Sequence, residues 1–192
     1  SYGYQIDSIE NLNVKKVLEI GPGSFVVSSL LKKMGYEVTT ADFDENVGAD
    51  KVCDIRSLPF TDNSFDVSMA CQVLEHIPFE DFEKGLLELK RVSSRYVIIS
   101  LPRRHTGFNF IFKMPFIQTI FKKKFFDLSL LFPVKFPGFE ESDQHYWEID
   151  FWQTSLKDVK EKIKKHFKII KRFSPPLNKY HYFFVLKKYD KR

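Results

Sequence analysis

"VLEIGPGSF" (residues 17–25) is the stretch whose reading decides the fold. Val17–Ile20 reads as a buried strand. Gly21, Pro22 and Gly23 then turn the chain, and an apolar run from Ser24 to Met34 has helical spacing and stops at Gly35. A strand, a glycine turn and a helix in that order bring backbone close to any ligand lying on the turn.

The same alternation continues downstream. "YEVTTAD" (36–42), "KVCDI" (51–55), "FDVSMAC" (65–71) and "RYVIISLP" (95–102) read as strands, and residues 79–92 as a helix with Phe82, Leu86, Leu89 and Val92 on one face. Strands separated by crossovers of this length pair in parallel and are covered on both faces. Ligands in such sheets bind beyond the carboxyl ends of the strands. That rule puts Gly21, Asp42, Asp54, Gln72 and Pro102 on one rim.

The glycine turn does not suit a dinucleotide. Gly21 and Gly23 fit G-x-G-x-x-G, but Val26 stands where the third glycine is needed, and no Gly-Lys-Ser/Thr follows as in a P-loop. The acidic residues point elsewhere. Glu19 precedes the turn, Asp42 closes the second strand where a carboxylate can accept both ribose hydroxyls, and Asp54 closes the third. A rim with these carboxylates repels pyrophosphate and suits a cationic, ribose-bearing ligand.

"VLEIGPG" (17–23), "VTTADFD" (38–44), "VCDIRSLPFTDNSFDVSMACQVLEHIP" (52–78) and "LKRVSSRYVIISLP" (89–102) together resemble the class I S-adenosylmethionine-dependent methyltransferases that act mainly on small molecules. The resemblance spans most of residues 14–102. It implies an α/β, Rossmann-like, doubly wound sheet of seven mostly parallel strands with an antiparallel C-terminal strand, and S-adenosylmethionine as cofactor. Glu19, Gly21, Pro22 and Gly23 would then shape the turn beside the methionine part. Asp42 would bind the ribose with Phe43 beside the adenine, Asp54 and Ile55 would border the adenine, and Gln72 and Val73 would border the methionine end. Phe25 departs from the pattern, which often has a glycine there, and the connection after Asp42 is short enough for the usual helix to shrink to a loop. His76 in "VLEHIP" is the candidate base. His105, His145 and Tyr146 are candidate acceptor contacts, while His166 and His181 are expected at the surface.

Residues 103–146 interrupt the alternation with dense Phe and Lys. They read as a helical, aromatic, lid-like insertion within a single domain spanning 1–192, with a helix over 115–128 and a peripheral membrane contact through 108–128 as a further possibility. Residues 154–167 read as a capped amphipathic helix, and "KIIKRF" and "YHYFFVLKKY" as a closing hairpin.

Composition narrows the rest. No run of about 18 apolar residues marks a membrane span, and no signal peptide is seen at the start as given. Cys53 and Cys71 read as reduced thiols in a cytoplasmic setting. No short-spaced set of four ligands suggests zinc, so no metal is expected. The net charge of +5 divides into −6 over residues 1–100 and +11 over 101–192. The expected activity is methyl transfer to a small apolar or aromatic acceptor, with nucleic acid not expected as partner. The alternatives are an RNA or protein methyltransferase using the basic C-terminal half, or a non-catalytic cofactor-binding subunit.

Overall fold

The computed structural model describes residues 1–112, 126–133, 145–151 and 154–189. Its centre is a seven-stranded sheet built from β1 (Lys16–Ile20), β2 (Glu37–Asp42), β3 (Lys51–Val52), β4 (Phe65–Cys71), β5 (Ser93–Pro102), β8 (Phe167–Phe173) and β9 (His181–Lys188). The strand order is β3-β2-β1-β4-β5-β9-β8. Pairings from β3 to β5 are parallel, and β9 runs antiparallel to both β5 and β8. The doubly wound reading and the closing hairpin are both borne out. Strand order reverses at β1, with β2 and β3 to one side and β4 and β5 to the other, so the connections leaving β1 and β4 diverge and open a crevice at their carboxyl ends.

Two apolar layers explain why the central strands lack polar faces. On one side Val17, Val67, Met69, Ile98 and Val185 pack with Ile9 of α1 (Tyr2–Glu10) and with Val27 and Leu31 of α2 (Val26–Lys33). On the other, Leu18, Ile20, Ala70, Val97 and Ile99 pack with Phe82, Leu86 and Leu89 of α3 (Phe82–Val92) and with Val159 and Ile163 of α4 (Leu156–His166). Ser155 caps α4 through a reciprocal box with Asp158.

Three local features differ from the sequence reading. The third strand is only two residues long. As expected, the connection before it contracts to a loop, here with a 3₁₀ turn at Glu45–Val47 capped by Asp44. Helix α1 had no sequence signal, because Gln5 and Ser8 fill two of its three buried positions and leave no apolar period. The flanks of the 103–146 insertion are strands, not helix: β6 (His105–Phe112) and β7 (Phe126–Pro133) form an antiparallel ribbon. Phe126–Leu128, the end of the expected 115–128 helix, belong to β7, and the rest of that helix lies outside the described residues.

The alternation of Phe108, Phe110 and Phe112 is the physical reason for strand here. These rings stack in succession and are exposed, on the same face as Leu128 and Leu130. The opposite face carries Asn109, Ile111, Asp127 and Ser129. Asn109 donates to the Pro176 carbonyl, and Lys179 pairs with Asp127, so the ribbon rests on the connection between β8 and β9.

Candidate functional site

Two cavities adjoin at the carboxyl rim, and both are bordered by Gly21. The larger, about 590 Å³, is also lined by Asp42, Phe43, Asp54, Ile55 and Val73, together with His76 and Tyr146. The smaller, about 370 Å³, is lined by Glu19, Pro22, Gly23 and Gln72, with Ser1, Tyr2, Gln5 and His181 contributed by α1 and β9. All ten residues expected to touch the cofactor therefore line one cavity or the other.

Backbone geometry at the turn is unusual. Gly21 and Gly23 have φ of +69° and +49°, which only glycine adopts without strain. Phe25 is also left-handed, with φ +58°. The chain keeps a glycine-like backbone where the side chain is a phenylalanine, at a cost of about 1–2 kcal/mol. Gln72 is the second strained residue, with φ +59° directly after β4. Its backbone N–H bonds to the Ser100 carbonyl at 2.9 Å.

The carboxylates differ in state. Asp42 is 9 % exposed, and its Oδ1 accepts the Asp44 N–H at 3.1 Å. Asp54 is gripped by Arg56, whose Nε lies 3.0 Å from both oxygens, and Arg56 also reaches Asp81 at 2.7 Å. Those bonds hold the Asp54 carboxyl below its ordinary range. Glu19 behaves oppositely. Burial raises its pKa to about 7 despite hydrogen bonds from Ser28 and the charge of Lys32, and its Oε2 has no hydrogen-bond partner among the described residues. Glu19 stands in the wall of the smaller cavity.

This pKa makes a stability prediction. Between about pH 4.5, where the unfolded glutamate titrates, and about pH 7, the folded state holds one more proton, so stability falls as pH rises through this window. Above it the loss is constant at about 3 kcal/mol. Glu19→Gln should thus stabilise the chain at pH 8 and change little at pH 4.5. Urea unfolding at both pH values measures this, and an equal effect at the two would rule it out.

The wall beyond the larger cavity comes from far along the chain. Tyr146 N–H bonds to the Glu75 carbonyl at 2.9 Å, and Trp147 Nε1 bonds to the Ile77 carbonyl at 3.0 Å. Trp147 also packs edge-on against Phe79 and Phe82. This seats His145 against His76, with ring centroids 5.0 Å apart. Glu148 is buried and receives Arg104, Tyr180 and His145 Nδ1, the last at 3.0 Å. Burial would raise the Glu148 pKa, but those bonds hold it low. Glu75 is fully buried with neither oxygen hydrogen-bonded among the described residues, and burial pushes it up to about 8.

His105 is not part of either lining. Its Nδ1 lies 2.9 Å from the Arg103 carbonyl at the foot of the ribbon. His181, expected at the surface, borders the smaller cavity, and burial lowers its pKa. The signal for it lay in the antiparallel pairing of the last strand, since its partner Pro102 ends β5 on the same rim. Ser1, Tyr2 and Gln5 had no sequence signal, because α1 itself had none.

A family model described as "Methyltransferase domain" matches residues 18–98. No curated protein matches the sequence. Among solved structures, a protein from Pyrococcus horikoshii OT3 superposes with a TM-score of 0.61 at 16% identity, covering 98% of this chain and 91% of that one. The 1,6-didemethyltoxoflavin-N1-methyltransferase of Burkholderia thailandensis, solved with its substrate and S-adenosylhomocysteine, gives 0.60 at 14% identity, with 99% and 79% covered. The magnesium protoporphyrin IX methyltransferase of Synechocystis PCC 6803, solved with S-adenosylmethionine, gives 0.60 at 13%, with 98% and 78% covered. The methyltransferase-domain match thus lies over β1 to β5, and the fold of the whole chain is shared with these structures.

Proposed function

We propose that the chain transfers a methyl group from S-adenosylmethionine to a small apolar or aromatic molecule. One observation carries the cofactor assignment: the orphaned Glu19 oxygen and the Asp42 carboxylate stand in adjoining cavities on either side of the Gly21 turn. Glu19 would neutralise the ammonium of the methionine part, and Asp42 would accept the ribose hydroxyls. Phe43, 79 % exposed at the cavity mouth, would lie along the adenine, with Ile55 and Asp54 at its edge and Val73 and Gln72 toward the methionine. Pro22 and Gly23 keep the turn low enough for this approach.

The bound cofactor supplies an electrophilic methyl group on a sulfonium. The protein's part is to align the acceptor and exclude water. His76, lining the larger cavity with Tyr146, would hold the proton of an acceptor hydroxyl, and Tyr146 and His145, the latter packed against His76, would form the acceptor side. A carboxylate or thiolate acceptor would need no base. His105 would act only through the lid.

At the His76 and Tyr146 end of the larger cavity, the neighbouring Ile77 supports an apolar or aromatic acceptor. The toxoflavin and porphyrin enzymes among the similar folds favour the same class. The ribbon's outward Phe108, Phe110 and Phe112 support a lid over that acceptor, or a contact with a membrane surface from which it is taken. Among the described residues no helix is long and apolar enough to cross a membrane.

Calorimetry on the full chain should show one S-adenosylhomocysteine per chain, and a panel of aromatic hydroxyl, carboxyl and amine acceptors should yield a methylated product. Saturable NAD binding with no heat from either sulfur cofactor would overturn the cofactor assignment. Turnover on RNA alone, with affinity falling steeply with salt, would replace the small-molecule acceptor by nucleic acid.

A further inference from the structure

We propose that Glu75, His76 and His145 form a binding site for one divalent transition-metal ion of the zinc type at the edge of the larger cavity. Their candidate ligand atoms all lie within 4.8 Å of one another. No local spacing marks the site, because His145 arrives from a distant segment pinned by Tyr146 and Trp147.

Three observations converge on a cation. The Glu75 side chain is fully buried, and both of its oxygens lack a hydrogen-bond partner among the described residues. A buried carboxylate in that state is costly until a proton or a cation neutralises it. His145 is held in a specific tautomer. Glu148 already accepts from Arg104 and Tyr180, so as an ionised acceptor it requires a proton on His145 Nδ1, which leaves the Nε2 lone pair for a metal. Metal-bound imidazoles are characteristically braced in this way by a carboxylate on the other nitrogen. His76 supplies a second imidazole, its ring steeply inclined (73°) to that of His145.

Two nitrogens and one carboxylate oxygen suit zinc and its first-row neighbours, whereas magnesium and calcium prefer all-oxygen sets. Bonds of about 2 Å bring tetrahedral donors to about 3.3 Å apart. The three ligand atoms, within 4.8 Å of one another, draw together to that separation on binding. Three protein ligands leave one position open. On the methyl-transfer reading, that position takes an oxygen of the acceptor, and a coordinated His76 no longer serves as base.

The test uses the full chain, stripped with chelator and desalted, then titrated with zinc chloride against a chromophoric competitor. One ion per chain with micromolar or tighter affinity is expected. His145→Ala and Glu75→Gln should each weaken it by about tenfold or more. His76→Ala, at an exposed position where truncation leaves the core untouched, should do the same. Cobalt chloride should give the intense visible bands of a tetrahedral site in the parent chain, lost in His76→Ala. S-adenosylhomocysteine binding is measured on the same samples and should persist in every variant. Its absence from the parent chain would count against the cofactor assignment and not against the metal. Substoichiometric zinc, or zinc affinity unchanged in His76→Ala and His145→Ala, would overturn the site and leave Glu75 as a buried neutral acid.

Discussion

Asp42→Ala lowers the affinity for S-adenosylhomocysteine about a hundredfold. A hydrogen bond to an ionised partner contributes about 1.5–3 kcal/mol, and with two ribose hydroxyls on one carboxylate a combined loss of about 3 kcal/mol is a conservative sum. The position is favourable for this role. Asp42 ends β2 against β3, with Cys53 N–H donating to its carbonyl at 2.7 Å, so the backbone that aims the side chain is fixed by the sheet. The alanine variant also loses the Oδ1 bond from Asp44, at a cost of about 1 kcal/mol in stability. Asp42→Asn keeps one acceptor oxygen and the same shape, and should recover roughly tenfold of the affinity. Calorimetry on the three proteins gives the answer. An alanine variant within about threefold of the parent would show that the ribose is held elsewhere.

Gly21→Ala destabilises the chain by about 2–4 kcal/mol. Two causes act together. At φ +69° an L-residue is strained, and a Cβ placed there would lie 2.5 Å from Val73 Cγ2. Val73 packs against the core layer that includes Leu74 and Ile77, so its branched side chain cannot withdraw without disturbing that layer. The Gly21 N–H meanwhile holds the Ala41 carbonyl at 2.9 Å, tying the turn to β2. Because Gly21 borders both cavities, cofactor affinity should fall with stability. Gly21→Ala combined with Val73→Ala removes the collision and leaves the backbone strain, so the double variant should recover part of the lost binding. Urea unfolding of the single variant with a change under about 1 kcal/mol would show that the turn relaxes without cost.

Much of the fold was legible in the chain because its central strands are buried on both faces. Continuous apolar runs such as Val97–Ile99, bounded by helical periods, admit few arrangements other than a covered parallel sheet. The rim residues followed from that topology alone, since a strand's last residue lies at its carboxyl end wherever the strand is placed. The ribbon was missed for a different reason. Its alternating Phe residues are exposed, and a period-2 pattern without a buried face is hard to tell from an aromatic helix interleaved with lysine. Helix α1 was missed because its buried face is partly polar: Ser8 bonds to the Tyr4 carbonyl, and Gln5 to Ser1.

The sequence by itself determined the glycine turn at Gly21, the common rim of the parallel strands' carboxyl ends, and the carboxylates Glu19, Asp42 and Asp54 at that rim, because each depends only on local pattern and strand direction. The tertiary structure alone decided the state of those carboxylates. Arg56 engages Asp54, while desolvation raises the Glu19 pKa to about 7. It alone brought His145 to Glu75 and His76. That meeting depends on Trp147 packing edge-on against both Phe79 and Phe82, a packing relation between distant segments that no local periodicity records.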